Sequence, residues 1–220
     1  MNKNPFRATV LLLSVFFALV VPSREAVAGP PLVCHPIQIG NARSLPGGSG
    51  PFGIKSDYNR GKLVEETLEL LNPEMPVLVR METLRRATLY ASGIYRGDNA
   101  WKNQSEEDRR IAFELLSRLM ARALQTAENA NSMARFDVGY LMACYEQANI
   151  AKDLSGYELV KKSLVVSGQN PEIEFACAMI TVWPKNSAHS QHLQKARAAA
   201  KTNPLLAANI ESHFANEKAQ

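Results

Sequence analysis

Helical periodicity without any strand pattern is the feature that most restricts the fold of this chain. From Gly61 to the C-terminus, apolar residues recur every three or four positions, and short breaks rich in Pro, Gly and Asn interrupt them. No stretch alternates apolar and polar residues in the way that a half-buried strand does. The sequence therefore predicts an all-α fold.

The breaks divide this region into eight predicted helices. The clearest one follows Ser105, a favoured N-cap residue, and acidic residues 106–108 then lie at the positive end of the helix dipole. The predicted helices are Lys62–Leu71, Pro76–Ala91, Ser105–Ala127, Phe136–Gln147, Tyr157–Val166, Glu172–Val182, Ser187–Lys201 and Leu205–Ala215. Short connections join antiparallel neighbours, so we expect residues 62–220 to form a single domain of stacked helix pairs, arranged as a solenoid or an irregular bundle.

The C-terminal half resembles the tetratricopeptide repeat family. Val138-Gly139 matches the Leu-Gly of the first helix of that repeat, and Ala199 with Pro204 has the spacing of its closing Ala and Pro. The packing positions of its second helix correspond to Tyr157, Val160 and Leu164. The resemblance implies a concave surface that binds a protein or peptide partner.

The N-terminus has the three-part layout of a secretory signal peptide over residues 1–28. Lys3 and Arg7 precede an apolar run from Ala8 to Val21, and Ala26-Val27-Ala28 forms a small-residue cleavage site. The alternative is an uncleaved anchor, but this run is shorter than the roughly 20 apolar residues that span a bilayer. We therefore expect export to the periplasm or the extracellular space, with no stable membrane insertion after cleavage.

The charge balance excludes some classes of partner. Cleavage after Ala28 would remove three basic residues and one acidic residue, which leaves 22 basic and 20 acidic residues and a net charge of +2. Charges of both signs alternate along the chain, which is not the pattern of a general nucleic-acid binder. The arginines of the predicted helices are expected to lie on solvated faces, at positions 80, 85, 86, 109, 110, 118 and 122.

Residues 29–61 are rich in Gly and Pro and lack helical periodicity, which indicates an irregular arm. Cys34 lies in this arm, whereas Cys144 and Cys177 fall in predicted helices. In an oxidising compartment, a disulfide from Cys34 to Cys144, or alternatively to Cys177, would fasten the arm to the helices and stabilise the fold by about 2–4 kcal/mol. The other interpretation is that all three are free thiols, with the helical pair buried as small apolar residues.

Histidine and cysteine also raise the question of a metal or thiol site. His35 follows Cys34 directly, and His189 and His192 lie three residues apart on one face of a predicted helix. These residue types bind transition metals, and a histidine beside a thiol can lower its pKa. However, neighbours in an extended segment point in opposite directions, and a surface or packing role explains each histidine better than a metal site does.

No catalytic set and no cofactor motif can be assembled from the sequence, which lowers the expectation of an enzyme. The preferred prediction is an exported, non-catalytic helical scaffold that binds a protein or peptide partner. The alternative is a thiol or metal-binding protein that uses Cys34 and His35 together with helix-borne cysteine or histidine residues.

Overall fold

The computed structural model of the chain describes residues 30–96, 103–125, 132–183 and 186–217. Within these residues it contains nine α-helices. The one β-bridge between two of the described residues is an isolated pairing of Gly47 with Ile54. The all-α prediction is therefore confirmed. The predicted signal peptide, residues 1–28, lies outside the described residues. None of the described helices combines the length and apolarity that a bilayer-spanning helix needs.

All eight predicted helices are present, and a short additional helix lies in the arm. α5 begins at Ser132, four residues before the predicted start at Phe136. The helices are α1 Pro31–Cys34, α2 Leu63–Leu70, α3 Val77–Ser92, α4 Glu106–Leu124, α5 Ser132–Gln147, α6 Gly156–Val166, α7 Pro171–Thr181, α8 His189–Ala200 and α9 Pro204–Phe214. From α2 to α9, each helix packs against the next along the chain.

The N-terminal caps explain where several of these helices start. Ser105 and Asp108 form the reciprocal capping box of α4, in which the Ser105 side chain accepts from the Asp108 N–H and Asp108 accepts from the Ser105 N–H. Asn170 and Asn203 cap α7 and α9 by accepting backbone N–H bonds with their side chains, and each is followed by a proline at the first helical position. Local sequence therefore fixes the starts of these three helices.

Helix α3 is the centre of the molecule. It contacts α2, α4, α5 and α7, and every residue from Val77 to Ser92 except Arg86 is buried. Val77, Met81, Leu84 and Ala91, the apolar residues that recur at helical spacing in this segment, are buried. The prediction that Arg80 and Arg85 lie on a solvated face is wrong, because both guanidinium groups are fully buried.

The irregular arm is the reason why Arg85 is buried, whereas Arg80 is buried against α5 and the connection between α2 and α3. The arm's apolar residues Leu32, Val33, Ile37, Leu45 and Ile54 belong to the hydrophobic core, so the arm is part of the packed structure. An irregular segment leaves backbone N–H and C=O groups without ladder partners, and burying such groups unpaired is costly. The arm can therefore be buried only where side chains supply those partners.

The charged side chains of α3 supply them. Arg85 donates to the carbonyls of Val33 and Phe52 at 2.8 and 2.9 Å, and Glu82 accepts from the N–H of Ile37 at 2.9 Å. Glu82 also pairs with the guanidinium groups of Arg85 and Arg86, at 2.8 and 2.6 Å. We call Glu82, Arg85 and Arg86 the arm clasp, because these three side chains connect the arm to α3.

A second buried ion pair joins α3 to α5. Arg80 donates to Asp137 Oδ2 at 2.7 Å, and both side chains are almost completely buried. The other carboxylate oxygen of Asp137 is buried without a hydrogen-bond partner among the described residues. Burial raises the pKa of Asp137 to about 6, against the opposing effect of Arg80.

This pair predicts a specific pH dependence of stability. Because the folded state holds the pKa of Asp137 near 6, above its ordinary value of 3.8, its contribution is fully present below pH 4 and is lost as the pH rises through 6. The loss amounts to at most about 3 kcal/mol. Urea unfolding of the wild type and of Asp137→Asn between pH 4 and pH 7 measures it, since the variant lacks the titrating group. A constant difference between the two proteins would contradict this prediction.

Candidate functional site

An apolar groove between α4, α5 and α6 is the best candidate for a binding site among the described residues. α5 forms its floor, with Val138 and Met142 on one face, and the exposed C-terminal turn of α4 forms one wall. The groove has a volume of about 400 Å³, which is within the usual range for ligand sites. It is lined by Met120, Ala123, Leu124, Arg135, Val138, Met142 and Leu159.

A close approach of α5 and α6 shapes one side of the groove. Gly139 and Gly156 face each other, and a Cβ atom on Gly156 would lie 2.4 Å from the carbonyl oxygen of Gly139. A Cβ atom on Gly139 would lie 2.7 Å from the Cβ of Leu159, one of the lining residues. The two glycines therefore allow the backbones to pack closely and bring Leu159 beside the floor of the groove.

The lining is suited to apolar ligands. Leu124 is 84% exposed and Met120 is 42% exposed, although both are large apolar side chains. Methionine side chains adapt to ligands of different shape, and Met120 and Met142 are both in the lining. Among the described residues of this lining, Arg135 is the one that carries a charge. The groove can thus bind an apolar segment of a ligand and one anionic group.

The structure places His189 and His192 in separate hydrogen-bonded positions. The ring nitrogens of His189 lie 2.9 Å from the carbonyl of Ala178 and 2.9 Å from Glu217. Those of His192 lie 2.5 Å from Glu174 and 2.8 Å from the hydroxyl of Tyr157. Both nitrogens of each ring are therefore occupied, so neither histidine is available as a metal ligand in this arrangement.

His35 is not brought together with these two histidines in a metal site. Its ring lies 5.8 Å from that of His213, centroid to centroid. Among the residues the structure describes, no group of three histidine, cysteine or acidic side chains is arranged to hold a metal ion. The spacing of His189 and His192 on one helical face was thus insufficient to predict their roles.

A hydrogen-bonded chain of Tyr157, His192 and Glu174 was not predicted from the sequence. A hydroxyl, an imidazole and a carboxylate connected in this order resemble the connectivity of a catalytic triad. However, burial raises the pKa of Tyr157, which opposes formation of the phenolate. The three residues come from α6, α8 and α7, and Lys195 pairs with the second oxygen of Glu174 at 3.1 Å. This chain therefore connects three helices of the C-terminal half.

Cys34, Cys144 and Cys177 are all free and buried in the structure. The disulfide considered from the sequence is therefore not present in it, and the arm is held instead by the hydrogen bonds of the arm clasp. Burial raises the pKa of Cys34, that of Cys144 to about 12, and that of Cys177. Since the thiolate is the reactive form, these thiols are poor nucleophiles.

The thiols give a direct prediction. We expect an excess of Ellman's reagent at pH 8 to label none of the three cysteines while the protein is folded, and all three in guanidinium chloride without reductant. Burial and the raised thiol pKa values protect them in the native state. Peptide mapping of the labelled protein identifies the sites. One labelled cysteine in denaturant, with Cys34 in a crosslinked peptide, would contradict this expectation and support the disulfide.

No protein-family model, curated protein or solved structure shows significant similarity to the chain.

Proposed function

We propose that the protein is an exported helical scaffold that binds a protein partner non-catalytically, and that the groove between α4, α5 and α6 accepts an apolar segment of that partner. The observation that carries this proposal is the pair of large apolar side chains, Leu124 and Met120, that remain exposed at the rim of an apolar concavity. Apolar patches bordered by polar surface are typical of interaction sites.

The alternative function, a thiol or metal site, is not favoured by a specific observation. Its cysteines are buried with raised thiol pKa values, and both histidines of α8 already use both ring nitrogens. The groove, by contrast, presents exposed apolar side chains to a ligand.

A charged side chain at the rim of the groove tests the proposal. Peptides selected from a random phage-displayed library on the wild-type protein should bind Leu124→Glu at least about tenfold more weakly, because a carboxylate would replace an apolar contact. Val165→Glu is the matched control, since Val165 is 83% exposed and lies on α6 outside the groove lining. Fluorescence anisotropy with the selected peptides gives the Kd values.

Both variants should keep the wild-type Tm, because both side chains are mostly exposed. The proposal is overturned if the selection enriches no peptide, or if Leu124→Glu and Val165→Glu bind the selected peptides equally well.

A further inference from the structure

Arg135 gives the groove a preference for ligands with an anionic group, which its apolar residues alone would not provide. It is half-buried in the first turn of α5 and lines the groove. Other arginines nearby have partners: Arg122 donates to the carbonyl of Leu68 at 3.1 Å, and Arg118 lies 3.5 Å from Glu65. Arg135 makes no hydrogen bond or ion pair within the part of the chain that the structure describes. Its guanidinium is thus free to bind an anionic group of a ligand.

The start of α5 strengthens this preference. The N-terminal end of a helix carries a partial positive charge, and α5 has no acidic residue in its first turn to balance it. The positive charge of Arg135 is unfavourable next to this partial positive charge. An anionic group of a ligand placed beside Arg135 is therefore favoured by both the guanidinium and the helix dipole. Charge complementarity therefore points to a carboxylate at the Arg135 end of the groove.

The remaining floor residues fix where the apolar part of the ligand lies. Arg135, Val138 and Met142 follow one another at spacings of three and four residues, so they share one face of α5. At 1.5 Å per residue, the groove floor extends about 10 Å from Arg135 to Met142. An amphipathic helix presents residues i, i+3 or i+4, and i+7 over the same distance, which is the usual geometry of helix-in-groove recognition.

Resting on the proposed function, we propose that the partner segment is an amphipathic helix with an acidic residue that pairs with Arg135 and apolar residues, one and two turns away, that contact Val138 and Met142. The acidic residue sets the register of the helix in the groove, and the apolar residues supply most of the contact. Segments that carry lysine or arginine at the same position are rejected, because their charge would face Arg135.

The test uses peptides selected on the wild-type protein, together with Arg135→Gln and Arg135→Glu. We expect the selected peptides to share an Asp or Glu next to apolar residues spaced by three or four. Their binding should weaken about tenfold on Arg135→Gln, and changing the acidic residue of the peptide to Lys should restore binding to Arg135→Glu. Arg110→Gln is the control, since Arg110 is exposed, pairs with Glu114 on α4 and is not in the groove lining.

Each other outcome has a distinct meaning. Selected peptides that lose binding to Leu124→Glu but bind Arg135→Gln within twofold would overturn the acidic-helix proposal and leave the groove function intact. Peptides insensitive to both changes would overturn both proposals. If no peptide is enriched but dodecanoate binds with a dependence on Arg135, the occupant is a small amphiphile, and both proposals are overturned.

Discussion

Replacing Glu82 by alanine is expected to lower the free energy of unfolding by about 3–5 kcal/mol. Glu82 is fully buried and neutralises the guanidinium of Arg85, which is itself fully buried, and that of Arg86. Removing one member of a buried ion pair leaves an uncompensated charge in the interior, which costs far more than the loss of an exposed pair. The substitution also removes the acceptor for the N–H of Ile37 in the arm.

Urea unfolding, with the wild type and Glu114→Ala as references, measures this loss. Glu114 forms a similar ion pair with Arg110 on the surface of α4, so its removal should cost less than about 1 kcal/mol. Trypsin provides a second measurement, because loss of the arm clasp should make the exposed residues Arg43 and Lys55 faster to cleave. Equal losses in the two variants, with unchanged cleavage of the arm, would show that the clasp does not hold the arm.

Replacing Gly139 by alanine is expected to destabilise the fold by about 1–3 kcal/mol, although alanine normally stabilises a helix interior relative to glycine. The added Cβ atom would meet the carbonyl oxygen of Gly156 at 2.8 Å and the backbone nitrogen of Val160 at 2.9 Å. Backbone atoms cannot rotate away as a side chain can, so α5 and α6 would have to move apart. The sign of the effect therefore distinguishes close packing from helix propensity.

Gly61→Ala is the control for this change. Gly61 is exposed, and the described atom nearest to an added Cβ is a side-chain oxygen of Asn59, at 3.2 Å. Thermal and urea unfolding of both variants should show a large loss for Gly139→Ala and a loss within about 0.5 kcal/mol for the control. An increase in stability for Gly139→Ala would mean that α5 and α6 are not in contact at this point. If the helices do separate, the selected peptides should also bind Gly139→Ala more weakly.

The helices could be predicted from the sequence because their signals are local. The capping box at Ser105 and the prolines at the starts of α7 and α9 lie within one turn of the helix ends that they determine. The apolar residues of α3 were also identified correctly by their spacing. Signals of this kind need no knowledge of which segments meet in space.

The environment of α3 could not be predicted in the same way. The spacing of its residues indicated an amphipathic helix with arginines facing water, whereas the arm covers Arg85 and α5 covers Arg80. Nothing local shows that the carbonyls of a Gly- and Pro-rich segment are the partners of Arg85, since Val33 lies 52 residues away in the sequence. The signal that was available is the combination of a charged face on α3 with a segment that lacks helical or strand periodicity.

The candidate site was predicted only in general terms. A concave surface between stacked helices was expected, but no motif in the sequence pointed to Leu124 and Met120, so the groove itself was missed. Likewise, the partners of His192 are 18 and 35 residues away and come from two other helices. Only the packing of α6, α7 and α8 determines that these side chains meet.

The contact between the arm and α9 has a consequence for folding. The amide side chain of Asn209 accepts from the N–H of Gln38 and donates to its carbonyl, a pairing across 171 residues. Contacts of such long sequence separation form late, because the chain between them must already be ordered. The arm can therefore complete its packing only after almost the whole polypeptide has been synthesised. During synthesis, the nascent chain remains incompletely folded until α9 emerges from the ribosome.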